Sequence, residues 1–402
     1  LKISYISPKS FLYPMKKRDT YDYIFCWAWA SASLLIIHLY REWLLRDKKI
    51  CIIDKEERVL QNKTFCFWSK DSETIWKDLK DIISHSWKNN YQDWRRESLN
   101  PYTYHHIKSE DLFAYREKIL SQASTDFFVW EITDIREEKD TKSVYLKGNT
   151  IVQGYHLFDS RTPQFRPSQQ HPMILQSFIG WEIETEKKVF DEKAFTLMDF
   201  QIPQSKWTQF IYILPYSSQK ALVEITRFAT GVIDTKEAQN ILDSYIQKNF
   251  DTYIIRNSED GCIPMTQRSI ISQKSSPAIS IGTRNNKLKA SSGYAFKAMY
   301  YESKEIVNKL KNKQTLQLWK STSSFLKKRF YFYDSILLDI LKNNPQDGSR
   351  VLSELLSKNK TSDIFLFLDE KTNLYQEVKI FWKIPWIPFI RSIIRKIFFP
   401  QA

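Results

Sequence analysis

The stretch Tyr21-Asp22-Tyr23-Ile24-Phe25-Cys26-Trp27-Ala28-Trp29-Ala30-Ser31-Ala32-Ser33-Leu34-Leu35-Ile36-Ile37, followed by Ile50-Cys51-Ile52-Ile53-Asp54, decides the fold. It reads as strand, tight turn, apolar helix and second strand, the opening βαβ unit of a dinucleotide-binding fold. The fingerprint of that unit is G-x-G-x-x-G after the first strand, with an acid about 20 residues further on. Trp27, Trp29 and Ala32 hold the three glycine positions, while the acid, Asp54, is in place. Glycine at the first two positions allows a tight turn and a close backbone approach to pyrophosphate, and the third serves helix–strand packing. Two indoles therefore stand where the backbone should be bare. Trp29 is the worse placed, because its position lies nearest the phosphates. Asp54 accepts hydrogen bonds from a ribose or is a plain strand-ending residue; the complete βαβ context favours the ribose.

The chain of 402 residues is long enough for two intimately joined domains. A hydrophobic content of 42% beside 26% charged residues marks it as globular. Glycine is scarce, 8 of 402, against a usual share of roughly 7%, in keeping with the loss of the phosphate-loop glycines. The net charge of +14 suits an anionic partner, nucleic acid or an anionic membrane surface. Zinc-finger spacing, RNA-binding aromatic motifs and dense basic runs are missing, which sets nucleic acid aside. Cys26, Cys51, Cys66 and Cys262 form no C-x-x-C and read as buried thiols of a reducing compartment. The uncharged run from Ile24 to Tyr40 is 17 residues, short of the roughly 20 that a membrane span needs. The N-terminus shows no signal-peptide pattern, so a cytoplasmic location is expected.

Residues 1–20 read as a polar, basic arm. Residues 21–175 and 261–310 read as a discontinuous nucleotide-binding domain, 176–260 as strands of a second domain, and 311–402 as a helical region with a basic aromatic tail. A meander is expected over 127–161 and a helix over 236–250. Strands are clearest at Phe210-Ile211-Tyr212-Ile213-Leu214-Pro215-Tyr216 and Lys220-Ala221-Leu222-Val223-Glu224-Ile225.

Across about residues 21–390, motifs recur in a familiar order. They include Thr64-Phe65-Cys66-Phe67-Trp68, Ser84-His85-Ser86-Trp87, Phe158-Asp159-Ser160-Arg161, Gln176-Ser177-Phe178-Ile179-Gly180-Trp181-Glu182 and Leu197-Met198-Asp199-Phe200. Further along come Ala221-Leu222-Val223-Glu224-Ile225-Thr226, Gly261-Cys262-Ile263-Pro264-Met265-Thr266, Ile281-Gly282-Thr283 and Ser291-Ser292-Gly293-Tyr294-Ala295-Phe296. Through them the chain resembles the bacterial lycopene cyclase family, flavoproteins of the geranylgeranyl-reductase-like superfamily. The resemblance implies an α/β composite: a Rossmann-like FAD-binding domain, an inserted antiparallel substrate sheet and a helical C-terminal region. It implies reduced FAD as cofactor, lycopene or a related linear carotenoid as substrate, and cyclisation of the open ends to β-ionone rings without net redox change.

Ring closure needs a proton for a terminal alkene, a shielded carbocation and a base for a different proton. Glu224 is the candidate acid. Its run is otherwise apolar, where burial favours the protonated carboxyl, and the resemblance points to the same residue. The plain alternative is the solvent face of an alternating strand. Asp199 either orients that acid or caps a turn. Asp159, at a strand end, lies near the cofactor in the family or forms an Asp–Arg pair. Gly282, Ser292 and Gly293 precede turns and a helix start where backbone N–H groups can meet an anion or the flavin ring. After Gly282-Thr283 the family's small residues give way to Arg284-Asn285-Asn286-Lys287. Phe65, Phe67, Trp68, Trp87, Phe178, Trp181, Tyr212 and Tyr216 line a carotenoid tunnel or are simply core.

For the two tryptophans three readings stay open. The chain has lost FAD binding, or its phosphate loop is rebuilt, or the natural protein carries glycine there, since glycine and tryptophan codons can differ by one base. Two further functions therefore remain beside the cyclase: an inactive carotenoid-binding relative, and a flavin monooxygenase or reductase on the same scaffold. The tail carries Lys379, Lys383, Arg391, Arg395 and Lys396 among Phe381, Trp382, Trp386, Phe389, Phe398 and Phe399. That mixture suits peripheral contact with anionic lipid at the cytoplasmic face of the inner membrane.

Overall fold

A run of apolar residues from Tyr23 to Cys26, buried on both sides, is what a central parallel strand requires. In the computed structural model the strand Thr20–Cys26 pairs in parallel with Lys49–Asp54 on one side and Ile151–Asp159 on the other. The structure describes residues 20–55, 63–92, 95–138, 140–163, 173–204, 206–250, 252–267, 276–314, 316 and 325–398. Residues 1–19 of the expected arm and Phe399 of the tail lie outside them, and Thr20 already opens the first strand.

The first sheet runs Ser124–Val129, Lys49–Asp54, Thr20–Cys26, Ile151–Asp159, Thr141–Leu146, Ile132–Glu138, and the short strand Ile279–Ser280 joins Ile151–Asp159 in parallel. The expected meander over 127–161 is corrected at its start. Ser124–Val129 lies at the far edge, parallel to Lys49–Asp54, and the antiparallel part begins at Ile132. An apolar run such as Phe127-Phe128-Val129 does not say which edge it will join. The helix Ala30–Arg41 buries every residue from Ala30 to Leu39, packed against the helices Ser109–Leu120 and Phe296–Lys311.

The second sheet is built on long antiparallel strands in the order Tyr253–Thr266, Met173–Thr185, Lys220–Ala229, Thr208–Pro215, Ala194–Asp199, with Asn89–Gln92 and Arg95–Ser98 at the far edge. The strands Met173–Thr185 and Tyr253–Thr266 run through residues 176 and 260 without a break. Ile179, Trp181, Ile211, Val223 and Ile225 pack under the amphipathic helix Thr235–Asn249. The opposite face meets a three-stranded sheet (Thr64–Lys70, Tyr102–Lys108, His85–Trp87) and the helices Phe325–Asn343 and Pro345–Lys358. Helices Thr361–Leu368, Leu374–Phe381 and Ile387–Phe398 complete the C-terminal region.

Candidate functional site

Glu224 sits at mid-strand, and the register builds its surroundings. Gly180 on the strand Met173–Thr185 is opposite Glu224 on one side and Glu259 on the other. Residues paired in this way project to one face, so two carboxyl groups flank a position with no side chain. A Cβ at Gly180 would stand 3.3 Å from the Glu224 Cβ and 3.4 Å from the Glu259 Cγ. Both glutamates are buried. Thr226 Oγ1 donates to Glu224 Oε1 at 2.8 Å, and Thr64 Oγ1 donates to Glu259 Oε1 at 2.8 Å. Burial pushes the Glu224 carboxyl up to about 8, with the Glu259 charge acting in the same direction. Burial pushes Glu259 up to about 7 against the pull of Thr64 and Lys63. Glu224 is therefore a proton-bearing acid at neutral pH.

Beside the pair lies a chain of neutral donors. Tyr104 hydroxyl is 2.9 Å from both Tyr212 and Tyr294 hydroxyls, and Tyr212 donates to Cys66 Sγ at 3.2 Å. Burial pushes the Cys66 thiol up to about 12, so it stays protonated. Cys66 lines a cavity of about 690 Å³ with Phe67, Trp68, Tyr294, Phe296 and Lys297. The aromatic candidates divide. Phe67 and Trp68 line that cavity, whereas Trp181 belongs to the cluster under the helix on the other face of the sheet. Trp87 is core, its Nε1 donating to the Pro215 carbonyl at 3.1 Å.

Asp199 is not part of this arrangement; of its two expected roles, helping the acid or capping a turn, its contacts are those of the turn. Its Oδ2 accepts from Tyr245 hydroxyl at 2.5 Å and its Oδ1 from Gln201 N–H at 2.9 Å. Tyr245 belongs to the helix Thr235–Asn249, on the face away from Glu224. A register shift between Thr196 and Asp199 alters the alternation there. Glu259 and Gly180 are the residues that sequence reasoning missed. Both stand in quoted or adjoining motif segments, and the signal was an acid and a glycine in strands flanking the Glu224 strand.

The nucleotide end assembles but is altered. Trp27 N–H donates to the Ile53 carbonyl at 2.8 Å, which sets the first turn beside Asp54. Asp54 is half-buried, and its Oδ1 accepts from Lys55 N–H at 2.9 Å. Gly282 has φ +65°, and a Cβ there would stand 2.5 Å from Ser31 Oγ, so this loop presses against the first turn of Ala30–Arg41. Its own N–H donates to Glu302 Oε2 at 2.7 Å. Asp159 is fully buried and ion-paired with Arg161 at 2.8 Å and Arg284 at 3.0 Å, so it anchors two loops instead of facing a cofactor. The N–H groups of Ser292 and Gly293 both bond the Lys289 carbonyl, at 3.3 and 2.9 Å, and are not offered to an anion. The helix starts only at Phe296, later than Ser292 and Gly293.

The test of FAD against these residues fails at the phosphate loop. Trp27 has φ +64°, a left-handed conformation natural to glycine and a genuine outlier for a bulky residue. Trp29 caps the helix without a side-chain hydrogen bond, and its indole meets Phe113 edge-on at 6.1 Å. Ala32 is buried and close-packed. The backbone path suits a dinucleotide, but the two indoles do not fit its pyrophosphate.

A family model described as "Lycopene cyclase protein" matches residues 42–394. A lycopene beta-cyclase of Pantoea ananas is 25% identical over 254 residues, covering 61% of this chain and 63% of that protein. One from Paracoccus sp. is 32% identical over 92 residues, 23% of each. The chain thus spans less than two thirds of these relatives' length. Among solved structures, a flavoprotein/dehydrogenase from Cytophaga hutchinsonii aligns with TM-score 0.55 and 10% identity over 87% of this chain and 92% of the other. A variant of the halogenase PltM in complex with FAD aligns with TM-score 0.53 and 10% identity over 90% and 83%. These likenesses show the Rossmann-like flavoprotein fold.

Proposed function

The chain belongs to the lycopene cyclase family, and from that premise we propose that it closes the open ends of a linear carotenoid such as lycopene into β-ionone rings, with Glu224 as the acid. One observation carries the reading: a buried, proton-bearing carboxyl on a long strand, close enough to act electrostatically on Cys66 and Tyr294, both of which line the cavity of about 690 Å³. Glu224 protonates the terminal alkene. The new C–C bond forms as the cation is attacked by the internal double bond, and the Glu224 carboxylate takes a proton from a ring carbon. Proton and electrons return to the starting count, so the reaction is an isomerisation. Trp68, its ring stacked 4.5 Å from Phe365, and Tyr294 supply π faces that stabilise positive charge. With tryptophan at positions 27 and 29 the loop does not fit reduced FAD, so no step is routed through it; glycine at those positions removes the misfit.

The same reading places the protein peripherally on a membrane, at the cytoplasmic face, where a carotenoid dissolves. Supporting it, Tyr375, Trp382, Trp386, Ile394 and Phe398 are exposed on the last two helices and the link between them, beside Lys379, Lys383 and Arg391. A second reading, a carotenoid binder without turnover, draws on the misfit at the phosphate loop. Expression in cells that accumulate lycopene tests both. The cyclase reading expects cyclised pigment on chromatography and none from Glu224→Gln. Wild-type yield from that variant removes Glu224 from the mechanism, and unchanged lycopene with the parent chain favours the binder.

A further inference from the structure

We propose that Glu259 is a positioning residue of the acid site, a second carboxyl that keeps the proton on Glu224 across the gap left by Gly180. The inference rests on Glu224 being the acid. Its basis is geometric. The two carboxyl-bearing strands flank one glycine, and each carboxylate is pinned by its own threonine, Thr226 or Thr64. Adjacent to Glu259 is a small polar cavity lined by Lys63, Thr64, His106, Lys108 and Glu182. Among the described residues, neither ring nitrogen of buried His106 has a hydrogen-bond partner, nor does the buried Tyr216 hydroxyl. Orphaned polar groups of this kind cost stability and are kept where a site uses them. Burial, with help from His85 and Lys108, holds His106 down to about 3, so it is neutral.

The charged and titratable groups around the pair come from every packed element. Lys63 precedes the strand Thr64–Lys70, Cys66 lies within it, and Glu182 shares the glycine's strand. Tyr216, Tyr294, His106 and Lys108 complete the ring. The two carboxyls act on each other electrostatically across the Gly180 strand, so charge on Glu259 disfavours loss of the proton from Glu224. Glu224, further from Lys63 and Thr64 in influence, is the better seat for it.

The test is ring formation against pH for the parent, Glu224→Gln, Glu259→Gln and Glu259→Asp. Removing the Glu259 charge lets Glu224 ionise at lower pH. The alkaline limb of Glu259→Gln should therefore move acidward by about one pH unit, with activity kept at acid pH and the limb restored by Glu259→Asp. An infrared titration of the protonated carboxyl in the carotenoid-free protein gives the same shift without turnover. An unmoved limb and an unmoved infrared titration overturn the inference, as does a folded Glu259→Gln that is inactive at every pH. Activity in Glu224→Gln is a separate outcome and sinks the acid assignment itself.

Backbone conformation carries a second inference, independent of the first. We infer that the cell encoding this protein places glycine at positions 27, 29 and 43: the backbone at 27 and 43 is left-handed, while 29, in ordinary extended backbone, is the second glycine position of the βαβ fingerprint. Trp43 has φ +60° and follows the helix Ala30–Arg41 and its cap Glu42. Its N–H bonds the Tyr40 carbonyl at 3.0 Å and Leu44 N–H bonds the Leu39 carbonyl at 2.9 Å. That is a Schellman ending, whose left-handed residue is usually glycine. Trp27 is left-handed too, and Trp29 occupies the second phosphate-loop position. The chain has 13 tryptophans beside 8 glycines, and a single base separates the codons. Peptide masses of the protein purified from its source decide the matter. Glycine masses at the three positions are expected, and tryptophan masses overturn the inference.

Discussion

At the scale of single residues, the acid and its false partner show how far a sequence reaches. Glu224 is legible because an acid inside an apolar strand is a conflict that only burial or function explains. Asp199 was read as either a helper of that acid or a turn residue, and after the register shift that follows Thr196 it accepts from Tyr245 and Gln201. Glu259 was hidden, since its strand Tyr253–Thr266 alternates weakly and exposes much of its length. Asp159 is a buried charge held by two arginines. Removing one member of such a cluster leaves uncompensated charge, so Asp159→Asn should cost about 3 kcal/mol or more of stability. Urea unfolding at neutral pH measures this, and a loss below about 1 kcal/mol would place the cluster among ordinary surface pairs.

Whole elements were easier to read than their neighbours. The βαβ opening, the helix at 236–250 and the C-terminal helices follow from apolar period and length. Strand partnership does not, because pairing is chosen by distant segments, as the edge position of Ser124–Val129 shows. The last two helices present exposed apolar side chains with basic residues between them. Among the described residues, no helix is long and apolar enough to cross a membrane, so a surface mode is the natural one to test. Trp382→Ser with Trp386→Ser and Ile394→Ser alters only exposed positions. It should abolish flotation with anionic vesicles while leaving the thermal melt unchanged. High salt should weaken the parent's binding. Flotation equal to the parent would separate these helices from lipid.

Across the whole molecule, opposing titrations set a pH window for stability. His105 and His106 are held by burial down to about 4 and about 3, below the ordinary 6.5. As pH falls through that range the unfolded chain takes up protons that the folded one refuses, and stability drops. Glu224, Glu259 and Glu302 are held by burial up to about 8, 7 and 7, above the ordinary 4.5. As pH rises from 4.5 the folded chain must retain protons or bury charge, and stability drops on that side also. The two limbs cross between pH 4.5 and 6.5, and melting temperature should peak there. Glu224→Gln with Glu259→Gln should flatten the alkaline limb, and a limb identical to the parent's would show that these carboxyls ionise without cost.

Glu224 is seated mid-way along continuous strands, not on a loop that can swing. A polyene has two termini, and a fixed stylus can write on only one at a time. On the proposed cyclase reading, the half-finished molecule would have to back out, reverse and re-enter head-last, so the width of the cavity would govern whether the second end is ever served.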